Sequence, residues 1–122
     1  MKGESDGAQR LEELARQLES FVEARDRVRF NSPKNLSMAL AGEVGELIEH
    51  FQWLTQEQSS HLSAETHEAA RQEIADVQIY LLLLARKLDI DPVEAASDKL
   101  EMNARKYPVE KARGNARKYS GL

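Results

Sequence analysis

An all-α architecture, a bundle of four helices, is what three features of this chain point to. Apolar residues recur in steps of three and four over long stretches. No segment sustains the period-two alternation of a half-buried strand. Cap signals built from Ser, Asp and Pro stand at the start of three of the four periodic stretches.

The first helix is expected from about Gln9 to Val28, with Leu11, Leu14, Leu18, Phe21 and Val28 along one side, and RFNSP interrupts it. Ser32 is then the N-cap of the second helix and Pro33 its first residue, where the missing N–H of proline costs nothing. That helix carries Leu36 to about Leu54 and fades in the polar stretch TQEQSSHLS. Ser63 caps a third helix running to Leu88, whose second half, IYLLLLA, is apolar all round and therefore must be enclosed on several sides. Asp91, Pro92 and Glu94 open a fourth helix in a capping-box pattern, and Pro108 stops it after about Lys106. Short polar connections favour antiparallel neighbours.

A chain of 122 residues is the size of one domain, here a core of about 9–107 and a basic tail of 108–122. It is small enough to favour association with further copies through helix packing. No cysteine is present, which removes disulfides, zinc-thiolate sites and a thiol nucleophile, and fits a reducing cytoplasm. The longest apolar run, Ile79 to Ala85, is far short of the roughly 20 residues a membrane span needs. The polar, acidic start MKGESDGAQR is not a signal sequence, so a cytoplasmic location is expected and no membrane partner. A net charge of −4 argues against a nucleic-acid polymer as partner. The end of the chain departs from that average: from Asn103 onward Arg105, Lys106, Lys111, Arg113, Arg117 and Lys118 face the single acid Glu110, and NARKY occurs twice. These cations are either a solvated tail or a phosphate-binding set.

The chemistry is carried by four carboxylates in two pairs, Glu43 with Glu46 and Glu73 with Asp76. The i, i+3 spacing turns both members of a pair to one side of a helix, with Cβ atoms roughly 5–6 Å apart. Glu43 falls in the apolar stripe Leu36, Leu40, Leu47, Phe51, Leu54, and Glu73 begins the stripe Val77, Tyr80, Leu84, Leu88. A core-facing carboxylate is costly unless neutralised, paired or bound to a cation, and no Lys or Arg is comparably placed. Single ExxE pairs are ordinary surface chemistry in a chain that is 31% charged; two pairs, each inside its own apolar stripe, point to a divalent cation such as Mg²⁺.

Other candidates are weaker. His50, His61 and His67 lack the spacing of a zinc motif and read as surface histidines. Gly42 and Gly45 each cost a helix about 1 kcal/mol against alanine, which points to close approach by a neighbouring helix or a ligand beside the acids. Trp53 and Tyr80 lie within about two turns of a carboxylate pair; each is either core or a platform on which a base stacks.

NLSMALAGEVGELIEHFQW, EIADVQIYLLLLARKLDID and DKLEMNARKYP together resemble the MazG-like all-α nucleoside triphosphate pyrophosphohydrolases, and among these the dCTP pyrophosphatase branch, from about Phe21 to Tyr119. The resemblance implies Mg²⁺-dependent hydrolysis of a nucleoside triphosphate between its α and β phosphates, on a four-helix core commonly assembled as a dimer of dimers. It implies metal binding by Glu43, Glu46, Glu73 and Asp76, and phosphate contacts by Lys99 and Asn103, with Lys106 and Tyr107 closing the same motif. It also implies that Trp53 lines the nucleobase pocket with Asn35 close by. Where dCTP-specific members have a histidine and a tryptophan that enclose the base, this chain has Leu18 and Arg27.

In such a site one carboxylate orients the attacking water or takes its proton, with Glu46 preferred and Glu43 or Glu73 as alternatives. No Ser-His or Cys-His set competes, so water attacks directly. The alternatives are the same chemistry on dUTP or on modified or oxidised nucleotides, and a non-catalytic helical module that docks through IYLLLLA.

Overall fold

Cap chemistry and apolar spacing fold the described residues into helices alone. The computed structural model describes residues 4–25, 31–107 and 109. Four long helices, α1 (Glu4–Ala24), α2 (Pro33–Glu49), α4 (Ala64–Lys87) and α5 (Pro92–Lys106), are joined by a single-turn helix, α3 (Gln56–Ser59). The expected end of helix one at Val28, Arg27, Pro108 and the basic tail 108–122, Val109 excepted, lie outside the described residues. These residues group into two units that divide after Asp89.

Three N-caps form where the sequence places them. Ser32 Oγ accepts the Asn35 amide at 3.1 Å, and Ser63 Oγ accepts the Thr66 amide at 3.1 Å. Asp91 Oδ1 accepts the amides of Val93 and Glu94 at 2.9 and 3.2 Å. Three features differ from expectation, the first being that α1 begins at Glu4, five residues before Gln9. α2 stops at Glu49 with His50 as its C-cap, and residues 51–54 turn rather than continue the helix as far as Leu54. The stretch read as plain loop contains α3, because Thr55 and Gln58 form a reciprocal capping box in which each side chain accepts the other's amide, at 3.1 and 2.9 Å. α4 ends without glycine: Asp89 takes the left-handed conformation at φ 55°, which short polar side chains tolerate better than most.

In the first unit α2 and α4 make the principal packing pair, and α1 lies against α4. The pair runs antiparallel: the end of α2 meets the first half of α4 at His50 and Glu73, and its start meets the last turns of α4, where Leu36 and Leu83 line one cavity. The interior consists of Ala15 and Val22 from α1, Leu36 from α2, and Ala70, Leu82 and Ala85 from α4. Leu36 is the most enclosed, at 1% exposed. Arg86 ties α1 to α4: Nη1 donates to Glu12 Oε1 at 2.8 Å, and Nε and Nη2 both donate to Glu19 Oε1 at 3.0 and 2.6 Å.

The all-round apolar half of α4 is only partly covered by its own chain. Leu82 and Ala85 are buried, while Leu81 is 46% exposed and Ile74, two turns earlier on the same face, is 56% exposed. Phe21, expected on the apolar side of α1, is instead exposed beneath the Arg25 guanidinium, 3.6 Å from the ring centroid.

Burial and capping make separable contributions to this unit. Leu36→Ala removes its most enclosed side chain and is expected to cost about 2–5 kcal/mol, against about 1 kcal/mol for loss of the cap in Ser32→Ala. Urea denaturation followed by circular dichroism measures both, and a smaller cost for Leu36→Ala than for Ser32→Ala would contradict this packing.

Candidate metal centre

The α2–α4 seam, on whose α2 side Leu36 is buried, also carries the acids. Glu43 is half-buried on the inner stripe of α2 and Glu73 half-buried on that of α4. Glu43, Glu73 and Asp76 each present a carboxylate oxygen, all within 4.8 Å of one another. Glu46 stands beside this group, exposed to solvent and hydrogen-bonded to the Glu43 carboxyl.

Glu43 Oε2 and Glu73 Oε2 are sealed from solvent, and neither has a hydrogen-bond partner among the described residues. A buried carboxylate oxygen without donor or cation is costly, and the seam relieves that cost by protonation. The hydrogen bond with Glu46, burial, and the negative charges of Glu46, Asp76 and Glu73 together raise the Glu43 carboxyl from an ordinary 4.5 to about 7. A divalent cation meets the same need. The donors are all oxygen, which suits a hard ion, and two of the oxygens are already stripped of water. The residues therefore fit a divalent cation.

The remaining candidates are spread along the chain. Tyr80 is half-buried on α4, one turn beyond Asp76. Trp53 follows the end of α2 and is 85% exposed, so it is no part of this chain's core. Asn35 sits in the first turn of α2. The 17 residues of α2 put about 25 Å between its ends, so the expected closeness of Asn35 to Trp53 does not occur within one chain. Lys99, Asn103, Lys106 and Tyr107 belong to the second unit: Lys99 is exposed, Asn103 and Lys106 half-buried on α5, and Tyr107 half-buried as its C-cap. Lys99, Asn103 and Lys106 share one side of α5 by their i, i+4, i+7 spacing.

Two expectations are corrected here. A Cβ at Gly42 or Gly45 would meet nothing within 4 Å, so no neighbouring helix among the described residues approaches them. His61 and His67 are exposed as expected, but His50 is half-buried with Nε2 3.8 Å from Glu73 Oε1. Its position seven residues after Glu43, on the same stripe, is the one signal that could have found it.

A cavity of about 200 Å³ lies further along the seam, lined by Glu19, Val22, Asn31, Leu36, Leu83 and Arg86 among others. Leu36 precedes Glu43 by seven residues and Leu83 follows Asp76 by seven, so this cavity is about 10 Å from the acids along both helices.

Comparison with known proteins gives concordant findings. The model of the MazG-like family matches residues 39–122. The chain is 40% identical over 114 residues to dCTP pyrophosphatase 1 of Bos taurus, covering 92% of this chain and 68% of that protein. The Homo sapiens dCTP pyrophosphatase 1 is likewise 40% identical, with 92% and 67% covered. Among solved structures, a pyrophosphatase from Archaeoglobus fulgidus superposes with a TM-score of 0.77 at 39% identity, over 81% of this chain and 93% of that one.

The acidic seam makes metal-free stability depend on pH with a definite sign. A carboxyl whose pKa is raised by folding stabilises the fold fully below its unfolded value of 4.5 and loses that contribution as pH rises through about 7. In chelator, the melting temperature is expected to fall between about pH 5 and pH 8, and Glu43→Gln should flatten that fall. A metal-free melting temperature that rises across this window, with no change in slope for Glu43→Gln, would contradict the described charge state.

Proposed function

The chain belongs to the MazG-like family, and from that premise we propose that it hydrolyses dCTP, or a closely related nucleotide, to the monophosphate and pyrophosphate with Mg²⁺ as its metal. Nucleoside triphosphate pyrophosphohydrolysis is the activity of the chain; the base, the metal and the residue roles are the proposal. What supports the roles is the trio Glu43, Glu73 and Asp76, with two sealed, unpartnered oxygens in a packed seam.

Glu43, Glu73 and Asp76 would hold the cation. When bound, that ion offsets the triphosphate charge and makes water a better nucleophile. Glu46 lies outside the trio and is open to solvent, so it is the carboxylate free to take the proton as water attacks the α-phosphorus. The new P–O bond forms as the α–β bridging bond breaks, and pyrophosphate leaves with the electron pair. The resemblance assigns phosphate contacts to Lys99 and Asn103, with Lys106 closing the same motif, and in the second unit these three share one side of α5.

The cavity bordered by Leu36, about 10 Å from the acids, is at a suitable reach for the base of a triphosphate whose phosphates sit at the metal. Asn35 adjoins it. Trp53 lies at the far end of α2, so its stacking role is assigned to a second copy of the chain in a homodimer or homotetramer. The exposed Ile74 and Leu81 on α4 and Met38 and Ile48 on α2 are consistent with such an assembly. A second reading, the same chemistry on dUTP or on a modified or oxidised nucleotide, is favoured by Leu18, a half-buried aliphatic residue where dCTP-specific members carry a histidine. Among the described residues no helix is long and apolar enough to cross a membrane, and the proposed work on nucleotide pools is cytoplasmic.

A panel of nucleoside triphosphates with product analysis tests this reading. Turnover is expected to require Mg²⁺, to favour dCTP and to release pyrophosphate; release of orthophosphate would refute it. Alanine at Glu43, Glu46, Glu73 or Asp76 should abolish turnover while leaving the helical circular dichroism intact, and near-normal activity in any two of these variants would overturn the site.

The shared site gives its own test. Loss of a stacked base costs roughly 1–3 kcal/mol, so Trp53→Ala should raise KM about tenfold with a smaller effect on kcat. After subunit exchange, mixing Trp53→Ala with Asn35→Ala should give more turnover than either variant alone, because some sites then combine two intact contributions. No gain on mixing would count against a site built from two chains.

A further inference from the structure

His50 is the one half-buried histidine, and the proposed hydrolysis has not used it. It caps the C-terminal end of α2, two turns beyond Glu43, with its side chain 30% exposed and Nε2 directed at Glu73 Oε1 3.8 Å away. The Glu73 side chain is 21% exposed. Its two oxygens meet different surroundings: Oε1 faces the imidazole, while Oε2 is sealed and has no partner among the described residues.

That asymmetry matters because Glu is a long side chain with several rotatable bonds, and fixing it in one rotamer costs conformational entropy. A donor on one oxygen restricts where the other can point. Carboxylates that ligate metals are in turn held by hydrogen bonds, and loss of such an outer partner weakens metal binding. His50 is not itself in the ligand group: Glu43, Glu73 and Asp76 converge within 4.8 Å without it. Its influence on a bound ion therefore runs through Glu73.

We propose that His50 is a positioning residue for the divalent-cation centre, its Nε2–H holding Glu73 Oε1 so that Oε2 stays turned into the α2–α4 seam beside Glu43 and Asp76. The neutral ring with its proton on Nε2 suffices for this. At 3.8 Å the pair lies just beyond hydrogen-bond distance, and the proposal requires Nε2 and Oε1 to approach by somewhat less than 1 Å, to about 3 Å. The proposal rests on the reading of the acidic trio as cation ligands, and it adds a nitrogen donor that the pattern of carboxylates did not contain.

Two substitutions separate positioning from packing. His50→Leu fills comparable space without a donor, and His50→Gln restores an N–H on a flexible arm. Each protein is titrated with Mg²⁺ alone while its melting temperature is followed, and kcat and KM are then measured at saturating Mg²⁺. His50→Leu should raise the Mg²⁺ midpoint by about tenfold or more, with a metal-free melting temperature close to the parent's and KM for nucleotide little changed. His50→Gln should recover most of the parent midpoint. Equal shifts in the two variants, or none in either while the parent is stabilised by Mg²⁺, would overturn the role of His50 and leave the metal centre standing. Absence of any Mg²⁺-dependent stabilisation in the parent would overturn both.

Discussion

Like charge across the α2–α4 seam is the constraint around which the rest of this unit is arranged. Glu43, Glu73 and Asp76 bring three carboxylates within 4.8 Å where solvent reaches only part of them. Apolar burial in the same unit, at Leu36 on α2 and at Leu82 and Ala85 on α4, opposes the repulsion, since each large buried side chain contributes roughly 1.5–3 kcal/mol. Glu43 shows the tension in its titration, holding a proton to about pH 7 through its hydrogen bond to Glu46 and its acidic neighbours. Protonation and cation binding are alternative solutions to the same electrostatic problem. Only the second leaves all the acids ionised for phosphate chemistry.

The antiparallel course of α2 and α4 then determines what lies near the acids. Toward the start of α2 the seam opens into the cavity beside Leu36 and Leu83, which α1 walls with Glu19 and Val22 and which Arg86 braces through Glu12 and Glu19. Toward the end of α2 it closes on His50, and the chain turns away to carry Trp53 into solvent. The described cavity therefore lies on one side of the acids, toward the start of α2. The aromatic ring of Trp53, on the other side, stands 85% exposed. Open space at Gly42 and Gly45, on the same helix as Glu43 and Glu46, keeps that flank free of helix packing among the described residues.

Much of this was legible in the sequence because it is local. Ser32, Ser63 and Asp91 are caps for reasons contained within four residues of chain, and the half-burial of Glu43 and Glu73 follows from their register in two apolar stripes. What was not legible depends on competition or on distance. The apolar period continues through Phe51 and Leu54, so periodicity alone extends α2 too far; the stop at Glu49 is a backbone event the side-chain pattern does not record. α3 was hidden by polar composition, although Thr55 and Gln58 carry its capping box in plain view. His50 and Glu73 are 23 residues apart on different helices, and only the relative phase of α2 and α4 brings them together. At Gly42 and Gly45 the helix-breaking cost is local, no helix among the described residues makes the close approach, and the ligand is the other partner that the sequence reading offers.

Partial burial is what allows one seam to serve both folding and chemistry. Full burial of three carboxylates would leave protonation as the only stable state, and full exposure would let water compete for every oxygen. Here Glu43 and Glu73 each keep one oxygen dry while Glu46, one turn along α2, stays in water. In the proposed site the dry oxygens would take up a cation without first shedding solvent, and the wet carboxylate would accept a proton and return it to bulk. An i, i+3 pair on a helix lying at the edge of an apolar seam produces that division from geometry alone, because a rotation of about 300° between the two positions turns one inward and leaves the other at the rim. The acid pair in α2 therefore stands in two different surroundings, and the difference comes from how far each stands from the axis of contact with α4.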